Sequence, residues 1–168
     1  MVYTSSYNNC KGNTWHTYSI SKDKGKDANY KGDCYLKLAP LESFFRVWRN
    51  NPNSLSEKEN NEYYIREFYY NILKNLDPSE VYQEIDNSIL LCYEDNLDFC
   101  HRHIVSAWLE LFLNIEIQEI KIINNKLNIV NKPGYIKDYL IKVIKEDMNI
   151  EDNNTINGLY RSKKKKKV

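Results

Sequence analysis

The sequence predicts an α/β fold in which a small, mainly parallel sheet carries packed helices in Rossmann-like layering. The run at 88–93 is nearly all apolar and has the length of a strand, as in strands that are buried on both faces of a parallel sheet. Amphipathic helical patterns precede and follow this run, and strands alternating with helices are typical of parallel sheets. A chain of 168 residues is long enough for one such domain.

The elements before the central strand follow in order. Residues 2–5 predict a first strand, and the irregular segment 8–35 contains one further strand within 14–21. A short strand is expected at 36–38. Pro40 then opens a helix, because apolar residues recur at 41, 44, 45 and 48. The next helix begins with Ser56 and Glu59, which form a capping box, and its apolar face extends to Leu76.

A short helix is expected at 79–84, before the central strand. Beyond that strand, Asp98 is predicted to cap a helix with apolar positions at 104, 105, 108, 111 and 112. A strand at 115–122, a turn at Asn124–Asn125 and a strand at 127–130 follow. A last amphipathic helix ends near Met148. Residues 1–148 are therefore predicted to form a single domain, and residues 149–168 a flexible polar tail that ends in the run Lys163–Lys167.

The amino-acid composition indicates which partners and which cellular compartment are expected. No stretch reaches the roughly 20 apolar residues that a membrane span needs, so no membrane partner is expected. The first residues lack the basic and apolar segments of an export signal, and the four cysteines are then expected to stay reduced in the cytoplasm. Segment 54–100 has a net charge of −8, and the last eight residues carry +6. The body is therefore acidic, which argues against a broad basic face for nucleic acid.

The junction between the central strand and the next helix holds the residues with the most chemistry. Ligands bind beyond the carboxyl ends of strands in open parallel sheets, and the start of a helix adds free amides and a positive dipole end. This corner contains two thiols, a carboxylate, two imidazoles and a guanidinium, from Cys92, Cys100, Glu94, His101, His103 and Arg102.

Three interpretations of this corner compete. Zinc would need converging ligands, but Cys100, His101 and His103 are expected to leave one helix start about 100° apart per residue, so neither a metal nor another cofactor is predicted. An anion site would use the fixed donor fork of Arg102, a protonated His101 or His103 and the helix amides, and it would suit a phosphorylated or nucleotide-like ligand.

The third interpretation is a reactive thiol. Cys100 in a first helical turn, beside His101 and Arg102, is expected to have a lowered pKa, and Glu94 would act as its base or orient a histidine. Tyr3, Thr4 and Ser5 leave the first strand and could line the same edge as ligand-binding residues, together with Cys92. A purely structural alternative remains, in which Cys92 packs in the core and Glu94 pairs with Arg102 to brace the loop.

The segment 89–94, ending in Cys92-x-Glu94, followed by Phe99-Cys100-His101-Arg102 resembles the signature of the domain-of-unknown-function family 488, which includes the YeaO-like proteins. The resemblance covers about residues 2–122 and includes a buried Trp-Leu pair, as at Trp108-Leu109. Many members carry an Asp-x-Arg segment after the first strand, and residues 8–35 contain none. The resemblance implies a fold and a pocket and assigns no reaction.

Together these patterns lead to one functional hypothesis and one alternative. The hypothesis is a protein that binds a small anionic or nucleotide-like ligand at the corner 92–103, as a small hydrolase or transferase. Glu94, Cys100 and His101 would react, and Arg102, His103, Tyr3, Thr4, Ser5 and Cys92 would bind the ligand. The alternative is a non-enzymatic interaction module that contacts nucleic acid through residues 11–37 and the lysine run.

Overall fold

The computed structural model describes residues 1–151 and 155–167, and these form an α/β structure built on one six-stranded sheet. The strands are β1 (Tyr3–Ser6), β2 (Thr17–Ser19), β3 (Asp33–Cys34), β4 (Ile89–Cys92), β5 (Gln118–Ile123) and β6 (Lys126–Val130). The helices are α1 (Glu42–Asn50), α2 (Glu57–Asn71), α3 (Pro78–Glu84), α4 (His101–Leu113), α5 (Gly134–Met148) and α6 (Ile156–Lys165).

The strand order is β3-β2-β4-β1-β5-β6. Every pairing is parallel except that of β5 with β6, which form an antiparallel hairpin. Asn124 and Asn125 join the hairpin with φ angles of 51° and 59°, the left-handed conformation that two-residue hairpin turns need. The predicted α/β class with a mainly parallel sheet is therefore confirmed.

The central strand β4 is buried on both faces, as its apolar run predicts. Leu90 belongs to the larger core, which it shares with apolar residues of all six helices. Ile89 and Leu91 face the opposite side, where a smaller cluster includes Tyr7 and Cys10. The long segment between β1 and β3 therefore covers part of the second face, while the α-helices contribute to the first.

Local signals placed most helices correctly. The capping box of α2 is present, since the Glu59 amide donates to Ser56 Oγ at 3.2 Å and the Ser56 amide donates to Glu59 Oε2 at 3.0 Å. Residues 36–38, expected as a strand, form a 3-10 turn in which the Ala39 amide donates to the Leu36 carbonyl at 3.1 Å. In such a turn, backbone amide and carbonyl groups can form hydrogen bonds without a neighbouring strand.

A helix, α6, replaces most of the flexible tail that was expected after residue 148. Ile156 is buried, the Tyr160 ring packs edge-to-face on Phe112 at 5.5 Å, and Tyr160 Oη donates to Asp77 Oδ1 at 2.8 Å. Lys164, inside the lysine run, pairs with Asp77 at 3.2 Å. The spacing of residues 156, 159 and 160 was the missed signal. The part of the tail at 152–154 and 168 lies outside the described residues.

None of the helices in the described part of the chain is long and apolar enough to cross a membrane.

Candidate functional site

The candidate site lies where the carboxyl ends of β2 and β4 meet the start of α4. Ser19 on β2 is in register with Leu91 on β4, and the Ile20 amide donates to the Leu91 carbonyl at 3.1 Å. The chain beyond β2 therefore runs beside Cys92, the last residue of β4. His101 begins α4, and Cys100 precedes it in an extended conformation.

Four side chains from this junction form a compact cluster, which we call the Cys–His–Glu cluster: Cys92, Glu94, Cys100 and His101. Cys92 Sγ lies 3.5 Å from His101 Nδ1 and 3.5 Å from Glu94 Oε2. Cys100 contacts the other three side chains. The sulfur atoms of the two cysteines and a ring nitrogen of His101 all lie within 4.8 Å of one another. The sequence prediction that these four residues share one corner agrees with this geometry.

The ring of His101 is held in one orientation. Its Nε2 lies 2.8 Å from the carbonyl oxygen of Ile20, and because a carbonyl only accepts, Nε2 must carry a proton. In the neutral ring Nδ1 is then the atom with the lone pair, and it faces Cys92. Burial opposes protonation of the ring, but the contacts with Cys100 and with the Ile20 carbonyl raise the pKa of His101 above its ordinary value.

The prediction of a low pKa for Cys100 is wrong. The residue is 2% exposed, and burial together with the neighbouring Cys92 thiol raises the pKa of Cys100 well above its ordinary value. Asp98 does not cap the helix, because Cys100 occupies the capping position and Asp98 Oδ2 accepts from the Asp95 amide at 3.3 Å. Of the two thiols, Cys92 is the one that faces the cavity described below.

Glu94 stays ionised at the edge of the cluster. Burial opposes ionisation of this carboxyl, but the contacts with Cys100 and with its own backbone amide lower the pKa of Glu94 below its ordinary value. The residue is half-buried and offers a charged carboxylate beside Cys92, at the surface of the cavity described below.

Arg102 and His103 point away from this corner into the interior. Arg102 is fully buried, and its Nε and Nη2 donate to Glu119 Oε1 at 3.1 Å and 2.8 Å. His103 Nε2 lies 3.4 Å from Glu119 Oε2 without hydrogen-bond geometry. Burial lowers the pKa of His103, so its ring is predominantly neutral near pH 7. The ion pair expected between Glu94 and Arg102 is wrong, because Glu119 is the partner of Arg102.

The hydroxyls of the first strand also bond within the fold. Thr4 Oγ1 donates to Glu119 Oε2 at 2.6 Å, and Ser5 Oγ donates to the Ile120 carbonyl at 2.6 Å. Tyr3 stands at the opposite end of β1, where its hydroxyl contacts the Met1 sulfur. The structure therefore does not bring Tyr3, Thr4 or Ser5 to the cluster.

A cavity of about 440 Å³ opens beside the cluster. Cys92, Glu94 and His101 form one part of its lining, and Ser21, Lys22 and Arg49 contribute polar groups from the end of β2 and from α1. Sequence reasoning missed these last three residues, because the buried Ser21 and the exposed Lys22 and Arg49 lie in a loop and on a helix that carry no local signal of a site. A second, larger depression beside Tyr7 and Tyr30 does not include the cluster.

The fold and this cavity define an α/β protein with a Cys–His–Glu cluster at the carboxyl edge of its sheet. Comparison of the chain with models of protein families, with curated proteins and with solved structures gave no match. The resemblance to the domain-of-unknown-function family 488 therefore stays a prediction.

The burial of the thiols predicts an order of alkylation in the native protein. Brief treatment with iodoacetamide and a chelator should label the half-buried Cys34 first, then Cys92 through the cavity, and Cys100 last, because the sulfur must be reachable as well as ionised. Peptide mapping of the labelled protein measures this order, and denatured protein provides the control in which all four thiols react. Labelling of Cys100 before Cys34 would contradict the burial described here.

Proposed function

We propose that the protein binds a small anionic ligand, phosphorylated or nucleotide-like, in the cavity beside the Cys–His–Glu cluster and acts on it as a small hydrolase or transferase. One observation carries this proposal. A single cavity is lined by the cationic side chains of Lys22 and Arg49 and by the reactive groups of Cys92, Glu94 and His101.

The size and the lining of the cavity suit such a ligand. Its volume of about 440 Å³ lies within the range of small-molecule sites. Pro40, Phe45 and Tyr93 add apolar surface against which a planar ring can pack. Asp23 and Asp27 also line the cavity. The Asp23 carboxylate accepts from the Gly25 amide at 3.0 Å and from the Tyr93 hydroxyl, which fixes the Tyr93 ring at the cavity.

Arg49 is the side chain best placed to hold the anion. It is exposed on α1, and within residues 1–151 and 155–167 the structure gives its guanidinium no ion pair or hydrogen bond. A planar guanidinium binds two oxygens of a phosphate at once, which a lysine ammonium does not. Lys22 already pairs with Glu42, so its charge is partly balanced. In this proposal Arg49 takes the role that the sequence assigned to Arg102.

The reacting groups are those of the cluster that face the ligand. Cys92 and His101 stand in contact at 3.5 Å, and Glu94 contacts the same sulfur. Such a set can supply proton transfer at an ester or phosphoryl group of a bound ligand. Cys100 lies behind Cys92 and does not line the cavity.

Replacement of Arg49 by alanine tests the anion site. Calorimetric titration with inorganic phosphate and with the common nucleoside monophosphates should show binding to the wild-type protein, and the variant should bind about 10- to 100-fold more weakly, since a hydrogen bond to a charged group contributes about 1.5–3 kcal/mol. Arg46→Ala is the matched control, because Arg46 lies on the same helix, pairs with Glu42 and does not line the cavity.

Two results would contradict the proposal. One is that none of these anions binds the wild-type protein. The other is that Arg49→Ala and Arg46→Ala bind the anion equally well.

A further inference from the structure

We propose that Cys92, Cys100 and His101 bind a zinc ion, with Glu94 beside the ion on the side of the cavity. The binding of the metal is inferred from the cluster alone. Its part in any reaction rests on the proposed function, since the ion would face the same ligand. With the ion bound, Cys92 and His101 would serve as its ligands, and Glu94 would be the group of the cluster left to transfer a proton.

Cys100 precedes helix α4, so the prediction that these residues diverge does not hold. Cys100 has φ −151° and ψ 144°, which is extended backbone, so the rotation of 100° per residue does not separate its side chain from that of His101. Both side chains reach Cys92, and their ligand atoms lie within 4.8 Å of one another. His103, two residues further along α4, does turn away and contacts Glu119.

The distances fit tetrahedral coordination. Zinc–sulfur and zinc–nitrogen bonds of about 2.3 and 2.0 Å at a tetrahedral angle separate the two ligand atoms by about 3.5 Å. Cys92 Sγ and His101 Nδ1 lie 3.5 Å apart, and so do Cys92 Sγ and Glu94 Oε2. An ion can therefore enter between these atoms with small movements of the side chains.

The orientation of His101 also matches that of a metal ligand. Ligating histidines usually donate their second ring N–H to a carbonyl or a carboxylate, which fixes the tautomer and aims the other nitrogen at the metal. His101 Nε2 donates to the Ile20 carbonyl at 2.8 Å, and Nδ1 faces the sulfur of Cys92. The orienting contact is thus present for the nitrogen that would bind the ion.

The donor set selects the type of metal. Two cysteine sulfurs and one imidazole favour zinc over the hard cations magnesium and calcium, which prefer oxygen ligands. Three protein ligands with one remaining position are typical of catalytic zinc sites. That remaining position would be on the cavity side, because Cys92, Glu94 and His101 line the cavity and Cys100 lies behind them.

Metal titration of the full chain tests the site. The protein, stripped with a chelator and kept reduced, should bind about one equivalent of zinc or of cobalt(II) per chain. The cobalt form should show thiolate-to-cobalt charge-transfer absorption and the visible bands of a tetrahedral ion. Cys92→Ser, Cys100→Ser and His101→Gln should lose most of this binding. Cys10→Ser is the matched control, because Cys10 is also a buried free thiol but stands outside the cluster.

The proposal is overturned if the reduced wild-type protein takes up no zinc or cobalt, or if all three ligand variants keep the full equivalent. The proposal is also overturned if Cys92 and Cys100 form a disulfide in the isolated protein and the protein still binds no metal after that disulfide has been reduced. If a ligand variant fails to fold, the cobalt spectrum of the wild-type protein still decides. Arg49→Ala should keep the metal and lose the anion, so failure of the zinc site and failure of the anion site give different results.

Discussion

Replacement of Glu119 by glutamine should lower the free energy of unfolding by about 3–5 kcal/mol, because removal of one partner from a buried ion pair leaves the other charge uncompensated. The side chains of Arg102 and Glu119 are both 0% exposed. Glu119 also accepts the hydroxyl of Thr4. Burial alone would raise the pKa of Glu119, but contact with His103 and the charge of Arg102 lower it to about 2. The carboxylate is therefore ionised at neutral pH, and its removal isolates the Arg102 charge.

An exposed pair of the same residue types provides the matched control. Arg66 and Glu146 pair at 3.0 Å with side chains 38% and 57% exposed. Glu146→Gln should cost no more than about 1 kcal/mol, the usual upper value for surface ion pairs. Urea denaturation at neutral pH measures both variants. Equal, small losses would mean that Glu119 does not compensate a buried charge.

The same ion pair shows why sequence reasoning placed only part of the site. Cys92, Glu94, Cys100 and His101 come from one stretch of 10 residues, so a strand end followed by a helix start was enough to predict that they meet. Whether a helical residue faces the cavity or the core depends on its neighbours in space. His101 faces the end of β2, whereas Arg102 turns toward Glu119 on β5, a contact that no local pattern reveals.

Residues from distant parts of the chain were missed for the same reason. Ser21 and Lys22 reach the cavity because β2 pairs with β4, although helices α1, α2 and α3 separate the two strands along the chain. Strongly periodic elements such as α2, β4 and α4 were predictable, since each carries its own pattern. The pairing of short strands such as β2 and β3 depends on the assembled sheet, and their sequences carry too few residues to specify it.

Helix α4 packs in the core and begins at the site with His101. Among the side chains of this helix, we expect the loss of Trp108 to be the most destabilising. Trp108 is 1% exposed, and its ring lies 6.2 Å from that of Phe112 on the same helix. Trp108→Ala should lower the free energy of unfolding by about 3–5 kcal/mol, the range for deletion of a large aromatic side chain from a core. His101 begins α4, and the loss of the Trp108 side chain should loosen this helix. The variant should therefore also bind cobalt and nucleotides more weakly.

Trp15→Ala is the matched control, because it removes a tryptophan that is exposed instead of buried. Trp15 is 46% exposed and makes an edge-to-face contact with Tyr3 at 5.7 Å. Its removal should cost about 1 kcal/mol, since an aromatic pair contributes about 0.5–1.5 kcal/mol beyond its buried area. Chemical denaturation followed by circular dichroism compares the two variants without relying on tryptophan fluorescence. A loss for Trp108→Ala no larger than that for Trp15→Ala would show that α4 is not anchored through Trp108, and the rigid positioning of the Cys–His–Glu cluster would then need another source.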